Sequence, residues 1–130
     1  MKTELLYLTL VTALTGLLWV PYVLERMVTW GLMPTVGYPA NPPEQSAWAR
    51  RLMKAHANAV ENLVVFAALV LVAQDLNVSN GATATAAIVY FWARVVHPIA
   101  YVFAIPWLRT LAFAVGFIAQ VTIAVQIFGH

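Results

Sequence analysis

The sequence predicts an all-α integral membrane protein, a four-helix bundle, and three observations carry that expectation. The chain of 130 residues is 62% apolar and only 9% charged, with a mean hydropathy of +0.80. Soluble domains carry about 25% charged residues. Four stretches reach the roughly 20 apolar residues that a membrane span needs, near residues 5–24, 47–73, 82–103 and 108–128. Basic residues gather beside alternate connections, as they do in multi-pass proteins. The length fits one domain, residues 1–130.

The first stretch follows Lys2 and has the outline of a signal peptide. Its apolar run of about 20 residues is too long for one, Glu4 interrupts the basic start and no A-x-A site follows, so it is read as a retained span. The connection after it opens with Glu25-Arg26, is rich in turn formers (Pro34, Gly37, Pro39, Pro42, Pro43) and closes with Arg50-Arg51. Ser46 is the expected N-cap of the second helix and Asn80 that of the third. A turn from Gln74 to Gly81 joins these two helices, and a very short link around Ile105-Pro106-Trp107 leads to the fourth.

Arg26, Arg50, Arg51 and Arg109 flank one side of the predicted bundle and Lys2 the other, which puts the first and third connections in the cytoplasm and both termini outside. Trp19, Tyr22, Trp30, Trp48 and Trp107 fall near the same interface, as aromatic belts do. The chain has no cysteine, so thiol chemistry would have to come from a bound molecule. His56, His97 and His130 lie on different predicted segments and form no local metal motif.

The second helix carries a polar stripe into its apolar half. At about 100° per residue, Arg50, Lys54, Asn58 and Glu61 share a narrow sector that Arg51 and Asn62 widen, with His56 opposite. From Arg50 to Glu61 the stripe descends about 16 Å. Snorkelling accounts for the long basic side chains but not for Glu61, which is short and deeper. On the third helix Arg94, His97 and Tyr101 share a face, and Pro98 is expected to kink the helix and free the carbonyl of Arg94. Glu61 and Arg94 fall at similar depth, so an ion pair between them is the expected structural use, and a ligand-holding polar pocket the functional one. Gln120, Gln126 and the Ala112/Gly116 pair on the fourth helix read as packing residues.

The segment from Arg51 to Phe66 resembles the second-helix signature of the MAPEG family (membrane-associated proteins in eicosanoid and glutathione metabolism), roughly R-x-x-[RK]-A-H-x-N-x-x-E-[NT]-x-x-x-F. The stretch Ala93 to Tyr101, followed by Arg109-Thr110, is similar to the branch with microsomal glutathione transferase and prostaglandin E synthase. The resemblance implies a homotrimer with glutathione, as co-substrate, in cytoplasm-facing clefts between subunits, and for a bacterial member an inner or cell membrane location. Carried over residue by residue, Arg51, Lys54, Asn58, Glu61, His97 and Tyr101 fall on ligand-binding positions. Arg94 falls on a supporting one, and Arg26 on an arginine at the end of the first helix. Arg109 matches an arginine that stabilises the glutathione thiolate, and Thr110 replaces the serine beside it. Ala57 stands where related enzymes often carry another arginine, and the spacing from Tyr101 to Arg109 is one residue short.

The expected activity is that of a glutathione transferase or peroxidase acting on hydrophobic electrophiles from the bilayer. The alternative is a non-catalytic lipid-binding or scaffold protein of the same fold. A small transporter fits less well, because the outer half of the second helix is purely apolar. The partners implied are a second and third copy of the chain, glutathione, a hydrophobic small molecule or lipid, and the membrane, with no nucleic acid.

Overall fold

The computed structural model describes residues 1–130 and is entirely helical. Six helices follow in order: α1 (Thr3–Leu17), α2 (Trp19–Trp30), α3 (Leu32–Val36), α4 (Ala47–Asp75), α5 (Gly81–Val102) and α6 (Pro106–Phe128). α1 and α2 form one rod, so that four helical units are long and apolar enough to cross a membrane. The chain is an integral, multi-pass membrane protein.

The expected second, third and fourth spans match α4, α5 and α6 to within two residues at each end. The first runs six residues past Leu24, to Trp30. Glu25 does not end it because its carboxylate is fully engaged, accepting from Thr29 Oγ1 at 2.6 Å, Gln45 Nε2 at 2.7 Å and Ser46 Oγ at 2.9 Å. The rod is interrupted at Leu18. Pro21 explains the break: it has no N–H for the Leu17 carbonyl, and its ring presses on that carbonyl. Pro98, where a kink was expected, lies buried inside α5, which stays helical through it.

α5 is the centre of the bundle and packs against α1, α4 and α6. Its contact with α6 is close because the facing residues are small. Ala112, Gly116 and Ala119 of α6 are buried, and Gly116 lies against the Tyr90 ring and Ala93. Tyr90 in turn stacks on Phe66 of α4, with ring centroids 3.9 Å apart and planes 9° from parallel. Around that pair the core gathers Val11, Val70, Ala87 and Ile123.

The two short inter-helix turns share one device. After α4, Asn77 takes a left-handed conformation (φ 58) while Asn77 N–H and Val78 N–H close back on the carbonyls of Gln74 and Ala73. That is a Schellman motif, and asparagine tolerates the left-handed position well. After α5 the same pair of bonds runs from Ala104 to Tyr101 and from Ile105 to Ala100. Here the left-handed residue is Ala104 (φ 56). Pro106 then opens α6 in the first helical turn, where its missing N–H costs nothing. Asn80 caps α5 as expected, in a reciprocal box with Thr83. Ser46 occupies the N-cap of α4 but makes no side-chain cap; its hydroxyl is spent on Glu25.

A left-handed alanine costs about 1 kcal/mol that glycine does not. Ala104→Gly is therefore expected to raise the thermal midpoint in detergent, by a stabilisation of about 0.5–1 kcal/mol. An unchanged or lower midpoint would show that the turn is not strained.

Candidate functional site

α4, α5 and α6 bring Asn58 of one stripe together with His97 and Tyr101 of the other at the end of the bundle that carries the arginines. A cavity of about 300 Å³ is lined by Asn58, His97, Tyr101, Arg109, Thr110 and Phe113. Asn58 comes from α4, His97 and Tyr101 from successive turns of α5, and Arg109, Thr110 and Phe113 from the first turns of α6. The tight α5–α6 turn sets this geometry. The short link keeps Arg109 close to Tyr101: its guanidinium carbon lies 4.8 Å from the centroid of the Tyr101 ring, a cation–π contact.

The expected Glu61–Arg94 ion pair is not made. Glu61 is exposed on the surface of the single subunit, and the only side-chain ion pair is Arg50–Glu44 at 2.9 Å. Arg94, 3% exposed, donates instead to Asn58 Oδ1 at 2.9 Å and reaches His97 Nδ1 at 3.4 Å. The reason is angular. Glu61 lies about 60° around α4 from Asn58, and that rotation takes it off the face turned to α5. Asn62, one turn beyond Asn58, donates to the same Oδ1 at 3.3 Å, and Gln120 of α6 donates to the Asn62 carbonyl at 3.1 Å. The result is a buried polar network of amides around one guanidinium. Arg94 Nε and Tyr90 Oη have no partner in it.

The other expected ligand-binding residues lie outside the cavity in this chain. Arg51 donates to the Val102 carbonyl at 2.9 Å and so caps α5. It also lines an adjoining cleft of about 190 Å³ that Tyr101 and Arg109 share. Arg26 bonds the buried Gln45 at 2.9 Å and lies 5.1 Å from the Trp30 ring centroid. Its partners tie the connection before α4 back to α2, with Gln45 Nε2 also on the Tyr22 carbonyl. Lys54 is exposed on the same side of α4 as Glu61. His56, opposite the stripe, accepts or donates at Nδ1 to the Tyr22 hydroxyl at 2.7 Å.

Sequence reading missed Phe113 as part of the cavity, although it stands one turn after Arg109 and helical spacing pointed to it. It placed Asn62 at the edge of the stripe and Gln120 among the packing residues; only packing shows that the two meet. Thr110 donates its proton to the Pro106 carbonyl at 3.0 Å, which leaves its lone pairs toward the cavity.

Chemically the cavity combines a fixed cation, an amide, an imidazole, a phenol and a hydroxyl with one aromatic wall. Such a set has the chemistry to hold an anionic, hydrogen-bonding molecule beside an apolar one. The MAPEG family model matches residues 8–129. The searches of curated proteins and of solved structures gave no match.

Asn58 is the one good acceptor of the buried charge. Asn58→Leu is expected to lower stability by about 1.5–3 kcal/mol, the worth of a hydrogen bond to a charged group, measured by thermal unfolding in detergent. A loss within experimental error would mean that Arg94 is satisfied by something else.

Proposed function

The chain belongs to the MAPEG family, whose members are generally associated with glutathione in membranes, and on that premise we propose that it is a glutathione-binding membrane enzyme of the transferase type. The observation that carries this reading is the meeting of Asn58, His97, Tyr101, Arg109 and Thr110 around one cavity. Glutathione has two carboxylates, an amine and a thiol, and the cavity supplies an amide and an imidazole for a carboxylate and a cation for the sulfur. Lys54 and Glu61 supply a further cation and a carboxylate on the neighbouring exposed face.

Arg109 has the catalytic role. A fixed cation beside the sulfur favours the thiolate and draws the thiol pKa down from about 8.5 toward neutrality, its proton leaving to solvent. The thiolate then donates its electron pair to an electrophilic carbon of an apolar molecule, forming a C–S bond as the leaving group departs with the electrons of the bond it breaks. With a hydroperoxide the same thiolate attacks the terminal oxygen and breaks the O–O bond, the alkoxide leaving as the alcohol, and a second glutathione converts the resulting sulfenic acid to the disulfide and water. Phe113 gives the apolar partner a surface beside the sulfur, and Thr110 Oγ1 has lone pairs available to a thiol proton. Arg26, Arg51 and Arg94 support the site by tying α2, α4 and α5 together.

The assembly we propose is a homotrimer. Glu61 and Lys54 stand exposed on a membrane-crossing helix beside Val60, Val64 and Val65, and charged groups at membrane depth face other protein rather than lipid. A second copy covering this face brings both side chains to the cavity's edge. One observation favours a second reading, a lipid binder without chemistry. The opposite side of the α5–α6 pair is a wholly apolar groove of about 380 Å³ that includes Trp92, Leu108 and Leu111.

Turnover of chlorodinitrobenzene with glutathione separates the two. Arg109→Leu is expected to lower kcat by about 10²–10³ while changing glutathione affinity far less, the pattern of a group that stabilises developing charge. Equal turnover in the two proteins removes Arg109 from the chemistry, and no turnover in the wild type favours the lipid binder.

A further inference from the structure

Arg94 does not line the cavity, yet it touches two of the residues that do. A guanidinium has only N–H donors and stays protonated in proteins. Both contacts therefore have one possible direction. His97 must accept at Nδ1, so its imidazole is neutral and its proton sits on Nε2. Asn58 must accept at Oδ1, which also takes a bond from Asn62 Nδ2 at 3.3 Å, so its carbonyl oxygen faces the network. The two remaining atoms, His97 Nε2 and Asn58 Nδ2, make no hydrogen bond within the chain, and neither is among the buried atoms lacking a partner. Both therefore keep some exposure, both belong to residues that line the cavity, and both are donors.

We propose that Arg94 is a positioning residue that fixes the hydrogen-bond polarity of the cavity, holding His97 as the Nε2–H tautomer and Asn58 with its NH₂ group outward, so that this wall recognises an anionic group. With the Arg109 guanidinium, which also lines the cavity, the site offers three donor groups. The Thr110 hydroxyl, its own proton on Pro106, contributes only lone pairs. A carboxylate or thiolate fits that arrangement, and an ammonium does not. Resting on the glutathione reading, the inference divides the tripeptide by charge: a carboxylate lies against Asn58 and His97, the thiolate beside Arg109, and the amine away from them, toward the face that carries Glu61. Because Arg94 is 97% buried behind this wall, it acts without touching the ligand. Tyr90, one turn before Arg94 on α5, stacks on Phe66 and packs on Gly116, so the guanidinium stands on a rigid floor.

The test is nitrogen NMR of the ¹⁵N-histidine-labelled protein in detergent, without ligand, near neutral pH. His97 is assigned by comparison with His97→Gln, as only His56 and His130 remain. The expected spectrum shows an unprotonated Nδ1 and a protonated Nε2. A proton on Nδ1 in the wild type overturns the proposal, whatever the protein binds. Arg94→Lys keeps the charge but loses the fork that reaches both partners. In folded Arg94→Lys, the tautomers of His97 are expected to mix and glutathione to bind at least tenfold more weakly. An unchanged tautomer with unchanged affinity shows that Arg94 is only structural. If the wild-type tautomer is as expected and glutathione does not bind, the glutathione reading fails and the polarity of the wall stands.

Discussion

A guanidinium placed about 12 Å below the end of a membrane-crossing helix sets the terms for the rest of this protein. An arginine at such depth costs about 2.5–3.5 kcal/mol on insertion scales, so Arg94 needs acceptors that the lipid cannot supply. α4 answers with Asn58, and Asn62 and Gln120 extend the bonding to α6. Three helices are thereby fixed in rotation and in height. The same requirement aligns the polar face of α4 with that of α5, and the cavity lies where those faces meet the first turns of α6. A buried charge held by neutral amides contributes little net stability, since desolvation offsets much of what the bonds return. It contributes one register. Below it the fit becomes apolar, with the Phe66–Tyr90 stack closing on Gly116.

The end of the bundle that carries the arginines is ordered by a second set of contacts built around Glu25 and Gln45. Gln45 is 7% exposed in a connection otherwise rich in proline, and it bonds Arg26, Glu25 and the Tyr22 carbonyl at once. These bonds hold the start of α4 against the end of α2, and Arg51 holds it against the end of α5. The arginines that mark the membrane face thus also brace the helix ends around the cavity. Function and topology draw on the same residues.

Much of the fold was legible because helix length and hydropathy speak directly about membranes. The last three spans were placed within two residues, and the Asn80 cap followed from its side chain. The first span was drawn too short, since Glu25 and Arg26 read as an end while in three dimensions they are satisfied by Thr29, Gln45 and Ser46. The break at Leu18 traces to Pro21, whose effect is felt four residues upstream. The two stripes were legible from spacing, and the cavity draws on both. The partner of Arg94 was not legible: depth along an axis is readable from sequence, but the rotation of one helix against another is not, and 60° separates Asn58 from Glu61. Charge complementarity suggested the carboxylate; packing geometry chose the amide.

The most direct measurement is an ultraviolet difference spectrum on rapid mixing of the detergent-solubilised protein with glutathione at neutral pH, with proton release followed in parallel. A cation-lined cavity that takes the tripeptide as its thiolate should give a saturable thiolate band and up to one proton per occupied site. S-methylglutathione should compete for the site and give neither signal. Binding without a band or a proton would contradict thiolate stabilisation, and absence of both binding and band would contradict a glutathione site in this cavity.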